Sequence, residues 1–338
     1  MKINNKIISK EKERALWESL IKEDGSLVIP NNITEIPDCV LRNCTSLTSV
    51  VIPDSDTSIG SHAFCGCSNL TNVTISNSVT SIGGYAFKNC SSLTTVMFNA
   101  DSQLANIGDY AFYNCQLLEN FNIPNRFFKI GSKAFYSCNS IFLTTIDDCT
   151  YFGNKANPYL YLIRVDNEVT EVVIKDNCKF IAWYAFDGCY TLTKVIIPDS
   201  VTSIGNGAFS DCDSLTSIEI PNSVISIGDS AFCGCCSLEN ITFGKDSQLT
   251  NIDEYAFYGC ESLINIEIPD SVTNIGESAF SCCGSLTSVV IGKNIKTIDK
   301  YVFAGCPIET ATIPIIAISN IPKAKLKTVI INDGGNIG

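Results

Sequence analysis

The sequence has little with which to build a catalytic or nucleic-acid-binding site. Its 338 residues include one histidine, His62, and 23 lysines and arginines against 35 aspartates and glutamates, a formal net charge of −12. Nucleic-acid sites need clustered Lys and Arg, so this charge disfavours DNA and RNA as partners. A catalytic histidine needs a partner that orients it. We interpret His62, which lies in a variable position, as a surface residue.

Long apolar runs are also missing. No stretch approaches the ~18 consecutive apolar residues of a membrane-spanning helix, so we expect no membrane insertion by this chain. Residues 1–25 lack the apolar run and small-residue cleavage site of a secretory signal peptide. They predict instead a short amphipathic capping helix, with Ser9 as its N-cap, Trp17 in its apolar stripe and Gly25 as its C-terminal stop. The sequence leaves the compartment open.

Motifs for cofactors, phosphates and metals are missing as well. The sequence has no G-x-x-x-x-G-K-[ST] or H-E-x-x-H motif and no dinucleotide fingerprint. We therefore expect no cofactor, no metal ion and no enzymatic activity. The remote alternative is a carbohydrate-active β-helix enzyme, which needs convergent carboxylates. Glu219 and Glu267 are its nearest candidates, and we interpret them as part of a solvated strand face.

A repeat dominates the rest of the sequence. The pair Ala-Phe recurs at steps of 23 or 25 residues, interrupted once by a step of 51, and a cysteine follows three residues after each phenylalanine. The unit is "SLTxVxIPxSVTSIGxxAFxxC", with Val40-Leu41 and Val302-Phe303 in the Ala-Phe position at the two ends. The predicted core phenylalanines are Phe64, Phe87, Phe112, Phe135, Phe186, Phe209, Phe232, Phe257, Phe280 and Phe303. The predicted core cysteines are Cys67, Cys90, Cys115, Cys138, Cys189, Cys212, Cys235, Cys260, Cys283 and Cys306, preceded by Cys44.

Each copy predicts one coil of a parallel β-solenoid. In "TLTKVIIPDSVTSIGNGAFSDC" (191–212), Val195 and Ile197 are expected to point inward and Lys194 outward, as in a strand with one buried face. "VTSIG" predicts a second short strand, and "AFSDC" a single helical turn. One coil cannot bury its own apolar side, so its stability comes from its neighbours. Stacked coils also place the phenylalanines close enough for offset stacking.

This pattern resembles the BspA-type leucine-rich repeat proteins over about residues 27–314. "LTSIEIP" (215–221), "VISIGDSAFCGC" (224–235) and "SLINIEIPDSVTNIGESAF" (262–280) carry the resemblance. It implies a repeat solenoid, curved and right-handed, with a parallel β-sheet. Members of the family are often surface proteins of bacteria or parasitic protists, and some bind host matrix or plasma proteins. The resemblance therefore implies an extracellular-matrix or surface protein as partner, and a cell-surface or secreted location.

Two segments depart from the repeat. The 51-residue step contains extended runs separated by turn signals at Gly153-Asn154 and Asp166-Asn167, which predict an inserted antiparallel hairpin. Near the C-terminus, the repeat stops where the next Ala-Phe is due. The predicted organisation is a capping helix (1–25), a first repeat block (26–138), the insert (139–182), a second repeat block (183–314) and an incomplete C-terminal repeat (315–338).

Seven of the 18 cysteines fall outside the period. Cys233 and Cys236 have C-x2-C spacing, but no second pair completes a four-ligand zinc site. Cys149 and Cys178 flank the insert and would form a disulfide only in an oxidising compartment. Packing as free, small apolar side chains is the favoured alternative. The redox state stays open for all seven: Cys39, Cys65, Cys149, Cys178, Cys233, Cys236 and Cys282.

The outward strand positions predict a broad, shallow contact face of small polar residues. Such a face lacks the aromatic and Arg anchors of binding hot spots, so we expect modest affinity, raised by multivalent display. The Tyr-rich insert is the richer candidate for an anchor; the alternative is that its tyrosines pack the hairpin. We predict a non-catalytic binding or adhesion module for a protein partner or a glycan; a structural spacer or intracellular scaffold is the alternative. The candidate contact residues are Asn72, Thr74, Asn120, Asn122, Lys194, Ser217, Glu219, Asn240, Thr242, Asn265, Glu267, Tyr159 and Tyr161.

Overall fold

The computed structural model describes residues 2–3, 6–7, 9–99, 101–121, 129–131, 133–138, 141, 143–153 and 157–332. The chain forms two compact units, residues 1–142 and 143–338. In each unit, short parallel strands stack coil upon coil, which confirms the predicted solenoid.

The first unit begins with two short antiparallel strands, β1 (Lys2–Ile3) and β2 (Lys6–Ile7), and a helix, α1 (Lys10–Glu18). The predicted N-cap is confirmed, because the Ser9 hydroxyl oxygen accepts a hydrogen bond from the Lys12 N–H at 3.4 Å. Trp17 is buried, as the apolar stripe predicts.

The helix is shorter than predicted. The expected stop at Gly25 is wrong, since α1 ends at Glu18 and Ser19 closes it. The Ser19 hydroxyl donates to the Leu16 carbonyl oxygen at 2.6 Å, which occupies a carbonyl of the last turn. Gly25 instead has a φ of 81° in the turn before the first solenoid strand.

Two parallel sheets make up the solenoid of the first unit. One contains β3 (Ser26–Val28), β4 (Ser49–Ile52), β6 (Asn72–Ile75), β8 (Thr95–Phe98) and β10 (Asn120–Phe121). The other contains β5 (Ser58–Ile59), β7 (Ser81–Ile82), β9 (Asn106–Ile107) and β11 (Lys129–Ile130).

The second unit begins with the insert and continues with the same two kinds of strand. The insert strands are β12 (Leu143–Ile146), β13 (Cys149–Phe152) and β14 (Tyr161–Val165). One kind of strand has three or four residues, and we call these the wider strands. They are β15 (Glu171–Val173), β17 (Lys194–Ile196), β19 (Ser217–Ile220), β21 (Asn240–Phe243), β23 (Asn265–Ile268), β25 (Ser288–Ile291), β27 (Thr310–Ile313) and β28 (Thr328–Ile331). The two-residue strands are β16 (Phe180–Ile181), β18 (Ser203–Ile204), β20 (Ser226–Ile227), β22 (Asn251–Ile252), β24 (Asn274–Ile275) and β26 (Thr297–Ile298). A 3₁₀ helix, Ile315–Asn320, precedes β28.

Equivalent residues of successive coils lie directly beside one another. Val50 pairs with Val73, and Val73 with Val96. Each repeat position therefore forms a column, and a buried column is filled in every coil. The phenylalanine column shows the packing: the rings of Phe232 and Phe257 stack with centroids 5.0 Å apart and planes within 1°.

The predicted core residues line these columns. Nine of the ten phenylalanines and all ten cysteines are buried, whereas Phe135 is partly exposed. In most coils the cysteine thiol donates to the carbonyl oxygen of the phenylalanine one coil earlier, as from Cys90 to Phe64 (3.2 Å) and from Cys235 to Phe209 (3.0 Å). A small buried donor is useful here, because this carbonyl faces the core and would otherwise accept only one hydrogen bond.

The segment predicted as one helical turn forms tight turns with i→i−3 hydrogen bonds. Its successive N–H groups donate alternately within their own coil and to the next coil. The Ala208 N–H donates to the Gly205 carbonyl within its own coil at 3.2 Å, while the Phe209 N–H donates to Ala231 of the next coil at 2.7 Å. Asp211 has a φ of 56°. This left-handed conformation explains why the position before the periodic cysteine is usually Gly, Asn or Asp.

The two 25-residue coils take up their extra residues at one corner. In both, the added residues lie between a wider strand and the following two-residue strand, at 99–105 and 244–250. The Ser247 hydroxyl accepts the Leu249 N–H at 3.2 Å and closes the enlarged corner. The next strand keeps its register, since Asn251 still pairs with Ser226.

The insert contains the predicted antiparallel hairpin, with a turn at a position that the sequence reading missed. β12 and β13 pair through Asp147 and Asp148, whose φ values of 48° and 60° are typical of a type I′ turn. Asn154 of the expected Gly153-Asn154 turn lies outside the described residues. β14 pairs antiparallel with β13 and parallel with β16, so it joins the hairpin to the solenoid sheet.

One apolar column of the first unit contains a carboxylate. Asp56 stands where most other copies of the repeat have valine, leucine or isoleucine, such as Val79 in the next coil, and it is 0% exposed. Neither carboxylate oxygen has a hydrogen-bond partner among the residues that the structure describes. Burial, reinforced by the negative charge of Glu35, raises the pKa of Asp56 from 3.8 to about 6.

Candidate functional site

The predicted contact residues lie on the outward faces of the wider strands. In the first unit Asn72 and Asn120 are exposed and Thr74 is half-buried, while Asn122 lies outside the described residues. In the second unit all of the predicted strand positions are exposed: Lys194, Ser217, Glu219, Asn240, Thr242, Asn265 and Glu267. The strand alternation places them there, because each neighbour along the strand points into the core.

A row of apolar side chains runs along the same face of the first unit. Val28, Val51, Thr74 and Met97 pair successively across β3, β4, β6 and β8. The exposed fractions of Val28, Val51 and Met97 are 54%, 40% and 51%. We call these four residues the sheet row. It contains three exposed apolar side chains, with the half-buried Thr74 between Val51 and Met97.

The insert does not provide the predicted tyrosine anchor at Tyr161. That prediction is wrong, because Tyr161 is 1% exposed and its ring stacks on Phe180 with centroids 4.6 Å apart. Its strand belongs to the solenoid sheet, which directs the ring inward. Tyr159 is half-buried and contacts the ring of Tyr151 edge-on at 5.5 Å.

A cluster that the sequence reading missed lies on the turns that precede and contain the Ala-Phe pairs of the first unit. Tyr85 and Tyr110 stack at 4.9 Å, and Tyr113 and Tyr136 stack at 5.4 Å. The Lys88 ammonium nitrogen lies over three of these rings, 5.2 Å from the Tyr85 centroid, 5.7 Å from Tyr110 and 4.9 Å from Tyr113. These five residues are called the tyrosine–lysine cluster. The signal was present, since the variable position before Ala-Phe holds tyrosine in two successive coils.

His62 extends one column of this cluster. Its ring stacks on Tyr85 at 4.6 Å, and its φ of 58° is left-handed. Partial burial and the positive charge of Arg42 lower the pKa of His62. The imidazole is therefore neutral at neutral pH and contributes an aromatic surface to the end of the column.

The cysteines outside the period differ in exposure. Cys39, Cys236 and Cys282 are exposed, Cys233 is intermediate, and Cys65, Cys149 and Cys178 are buried. Cys149 and Cys178 are both free, so the structure contains the packed alternative and not the bridge. Within the described part of the chain, no group of three His, Cys, Asp or Glu side chains could hold a metal ion.

An open groove of about 780 Å³ lies beside α1. Its walls include Lys10 and Arg14 from the helix, Glu35 and Arg42 from the first coils, and the buried Trp17. The charges are of mixed sign, so the groove selects no ligand of one charge. In the described residues, no helix is long and apolar enough to cross a membrane.

Comparison with known proteins identifies the repeat. The model of the BspA-type leucine-rich repeat region matches in six copies, over residues 23–142, 164–245 and 203–327. No curated protein matches the sequence. A leucine-rich cell surface protein from Faecalibacterium prausnitzii A2-165 is 31% identical; the match covers 79% of this chain and 88% of that one, with a TM-score of 0.43.

Two other solved structures are similar at lower identity. A leucine-rich repeat protein from Eubacterium ventriosum is 23% identical, covering 91% of this chain and 90% of that one, with a TM-score of 0.46. The pneumococcal vaccine antigen PcpA is 20% identical, covering 91% and 79%, with a TM-score of 0.40. The matched repeats span most of the sequence, and the chain therefore belongs to the BspA-type leucine-rich repeat family.

Proposed function

We propose that the chain is a non-catalytic binding module that contacts a protein partner at a cell surface, such as a host matrix or cell-surface protein. The sheet row is the observation that carries the proposal. Val28, Val51 and Met97 expose about half of their surface in register on a rigid parallel sheet. Exposed apolar strips rimmed by polar residues are typical of protein-interaction surfaces.

The proposed location at a cell surface is supported by the family and by a named relative. The solved structure from Faecalibacterium prausnitzii, 31% identical, is described as a cell surface protein. The exposed strand positions around the sheet row are small and polar, which suits the rim of an interface. Because the row lacks Trp, Tyr and Arg, each contact is weak and display in many copies would raise the avidity.

The test is saturable capture followed by disruption of the sheet row. The intact chain, immobilised, is exposed to matrix extract and to solubilised cell-surface proteins, and each captured protein is purified and titrated back. Val51→Glu with Met97→Glu should weaken that binding about tenfold or more, since a charge must then be desolvated in the contact. Ile225→Glu, an equally exposed apolar position outside the row, is the matched control. No saturable binding by the intact chain would refute the proposed function.

A further inference from the structure

The tyrosine–lysine cluster lies at the surface of the first unit, where Tyr136 is exposed and the other three tyrosines are half-buried. Stacking covers ring faces within two columns, with interplanar angles of 6° for Tyr85–Tyr110 and 10° for Tyr113–Tyr136. The Lys88 ammonium nitrogen lies 5.2 Å from the Tyr85 centroid and 4.9 Å from the Tyr113 centroid, so it contacts both columns. The four phenolic hydroxyls have no hydrogen-bond partner among the described residues. The cluster therefore offers a set of unused O–H donors.

Positive charge surrounds these donors. Lys88 is at the centre of the cluster, Lys133 lies 5.9 Å from the Tyr136 centroid, and Arg42 occupies the column of Lys88 in an earlier coil. In the described part of the structure, none of the three cations is in an ion pair. In a chain with a formal net charge of −12, two lysines beside aromatic rings, with Arg42 in the same column, form a local exception.

The fold does not require tyrosine at these positions. In the second unit this position holds Gly207, Ser230 and Ser278 in three coils and tyrosine in the other three: Tyr184, Tyr255 and Tyr301. Tyr85 and Tyr110 also have φ values of 61° and 54°, a conformation that is costly for a bulky side chain. What sets the first unit apart is that Tyr85 and Tyr110 fall in adjacent coils and stack, whereas no two tyrosines at this position are adjacent in the second unit.

We propose that the tyrosine–lysine cluster binds an acidic segment of a partner protein. This proposal deepens the proposed function and rests on it. A carboxylate in the cluster accepts hydrogen bonds from the phenols and pairs with Lys88, and both contacts are charge-assisted. Tyr is also among the residues enriched in binding hot spots, which the sheet row lacks. A sugar that stacks on aromatic faces is disfavoured, because neighbouring rings and Lys88 occupy faces that such a ligand needs.

The test uses a fluorescent peptide of alternating Glu and Gly, with the Gln–Gly peptide and heparin as comparison ligands. Anisotropy is measured at low ionic strength and near 0.15 M salt, where screening weakens exposed charge pairs. The Glu–Gly peptide should bind the intact chain, more weakly in salt, and the Gln–Gly peptide should not. Lys88→Glu should weaken peptide binding about tenfold. Lys296→Glu makes the same charge change on an exposed lysine of the second unit that is not among the candidate contact residues, and it should leave binding within about twofold.

A second variant separates the phenol donors from the charge. Tyr110→Phe with Tyr113→Phe keeps the rings and removes two hydroxyls, and it should weaken peptide binding several-fold without a change in melting temperature. Equal weakening by Lys88→Glu and Lys296→Glu would show a net-charge effect and overturn the proposal. Heparin binding without peptide binding would assign the cluster to an anionic glycan and also overturn it. If Lys88→Glu leaves capture of the purified partner intact while the sheet-row variant abolishes it, this proposal fails and the proposed function stands.

Discussion

Replacing Asp56 with valine should stabilise the first unit, and more so as the pH rises. The wild-type carboxyl lies in an apolar column, 0% exposed, without a hydrogen-bond partner among the described residues. The folded state binds its proton more tightly than the unfolded state, because burial raises the pKa of Asp56 to about 6. Stability is therefore lost as the pH rises from about 4 to 6, and stays lost above that range.

The magnitude follows from the two pKa values. A rise of the Asp56 pKa from 3.8 to about 6 corresponds to a loss of up to about 3 kcal/mol in the free energy of unfolding between acidic and neutral pH. Valine removes this dependence and adds the burial of an apolar side chain, worth about 1.5–3 kcal/mol. Asp56→Asn should remove the pH dependence but not the unsatisfied polar group. At neutral pH its free energy of unfolding should therefore fall between those of the wild type and Asp56→Val.

The assay needs a signal from the first unit alone. The chain has two tryptophans, and Trp17 in the first unit is buried. A Trp183→Phe background leaves Trp17 as the only tryptophan, so urea unfolding followed by its fluorescence reports on the first unit. The difference in unfolding free energy between the Asp56→Val variant and the protein that keeps Asp56 should grow by about 2–3 kcal/mol from pH 4 to pH 7. A difference that is constant over this range, or a valine variant less stable than the wild type, would refute the reasoning.

Three further predictions concern the core columns and the insert. Phe64→Ala should cost about 3–5 kcal/mol in urea unfolding, because it leaves a cavity beneath the ring of Phe87; a loss below 1 kcal/mol would contradict the stacked core. The Cys67 thiol should resist Ellman's reagent in the native protein, since burial raises its pKa to about 12, while Cys282 reacts; equal reaction rates would contradict the core position. Asp148→Gly should raise the free energy of unfolding by about 0.5 kcal/mol, with a slightly higher melting temperature, because glycine accepts the φ of 60° without strain; an unchanged or lower melting temperature would argue against the type I′ turn.

The solenoid was predictable because each buried column must be filled in every coil. Val195 lies inward and Lys194 outward as the alternation predicts, and β18 forms where "VTSIG" predicts a second strand. The period also places a cysteine three residues after each phenylalanine. It does not show that the thiol donates to the preceding coil's carbonyl, since that contact depends on the three-dimensional stacking.

The features that the sequence did not predict depend on neighbours across coils. The sequence places Tyr161 in the inserted hairpin and does not show its parallel pairing with β16, because another strand, β15, lies between the two along the chain. The Asp147-Asp148 turn was missed because neither residue is the glycine that usually marks a type I′ turn. The tyrosine–lysine cluster was missed because each variable position was interpreted within its own coil, whereas the stack of Tyr85 on Tyr110 follows the column.

Each 25-residue coil takes up its two extra residues at one corner. A coil can therefore gain residues there without shifting the columns of the core. The coils on both sides remain in register, as the Asn251–Ser226 pair shows. A loop such as residues 244–250 is therefore a site where whole peptide segments could be grafted without rebuilding the scaffold. Diversity in such a protein can accumulate at this corner through insertions, while the columns that hold the fold together keep their spacing.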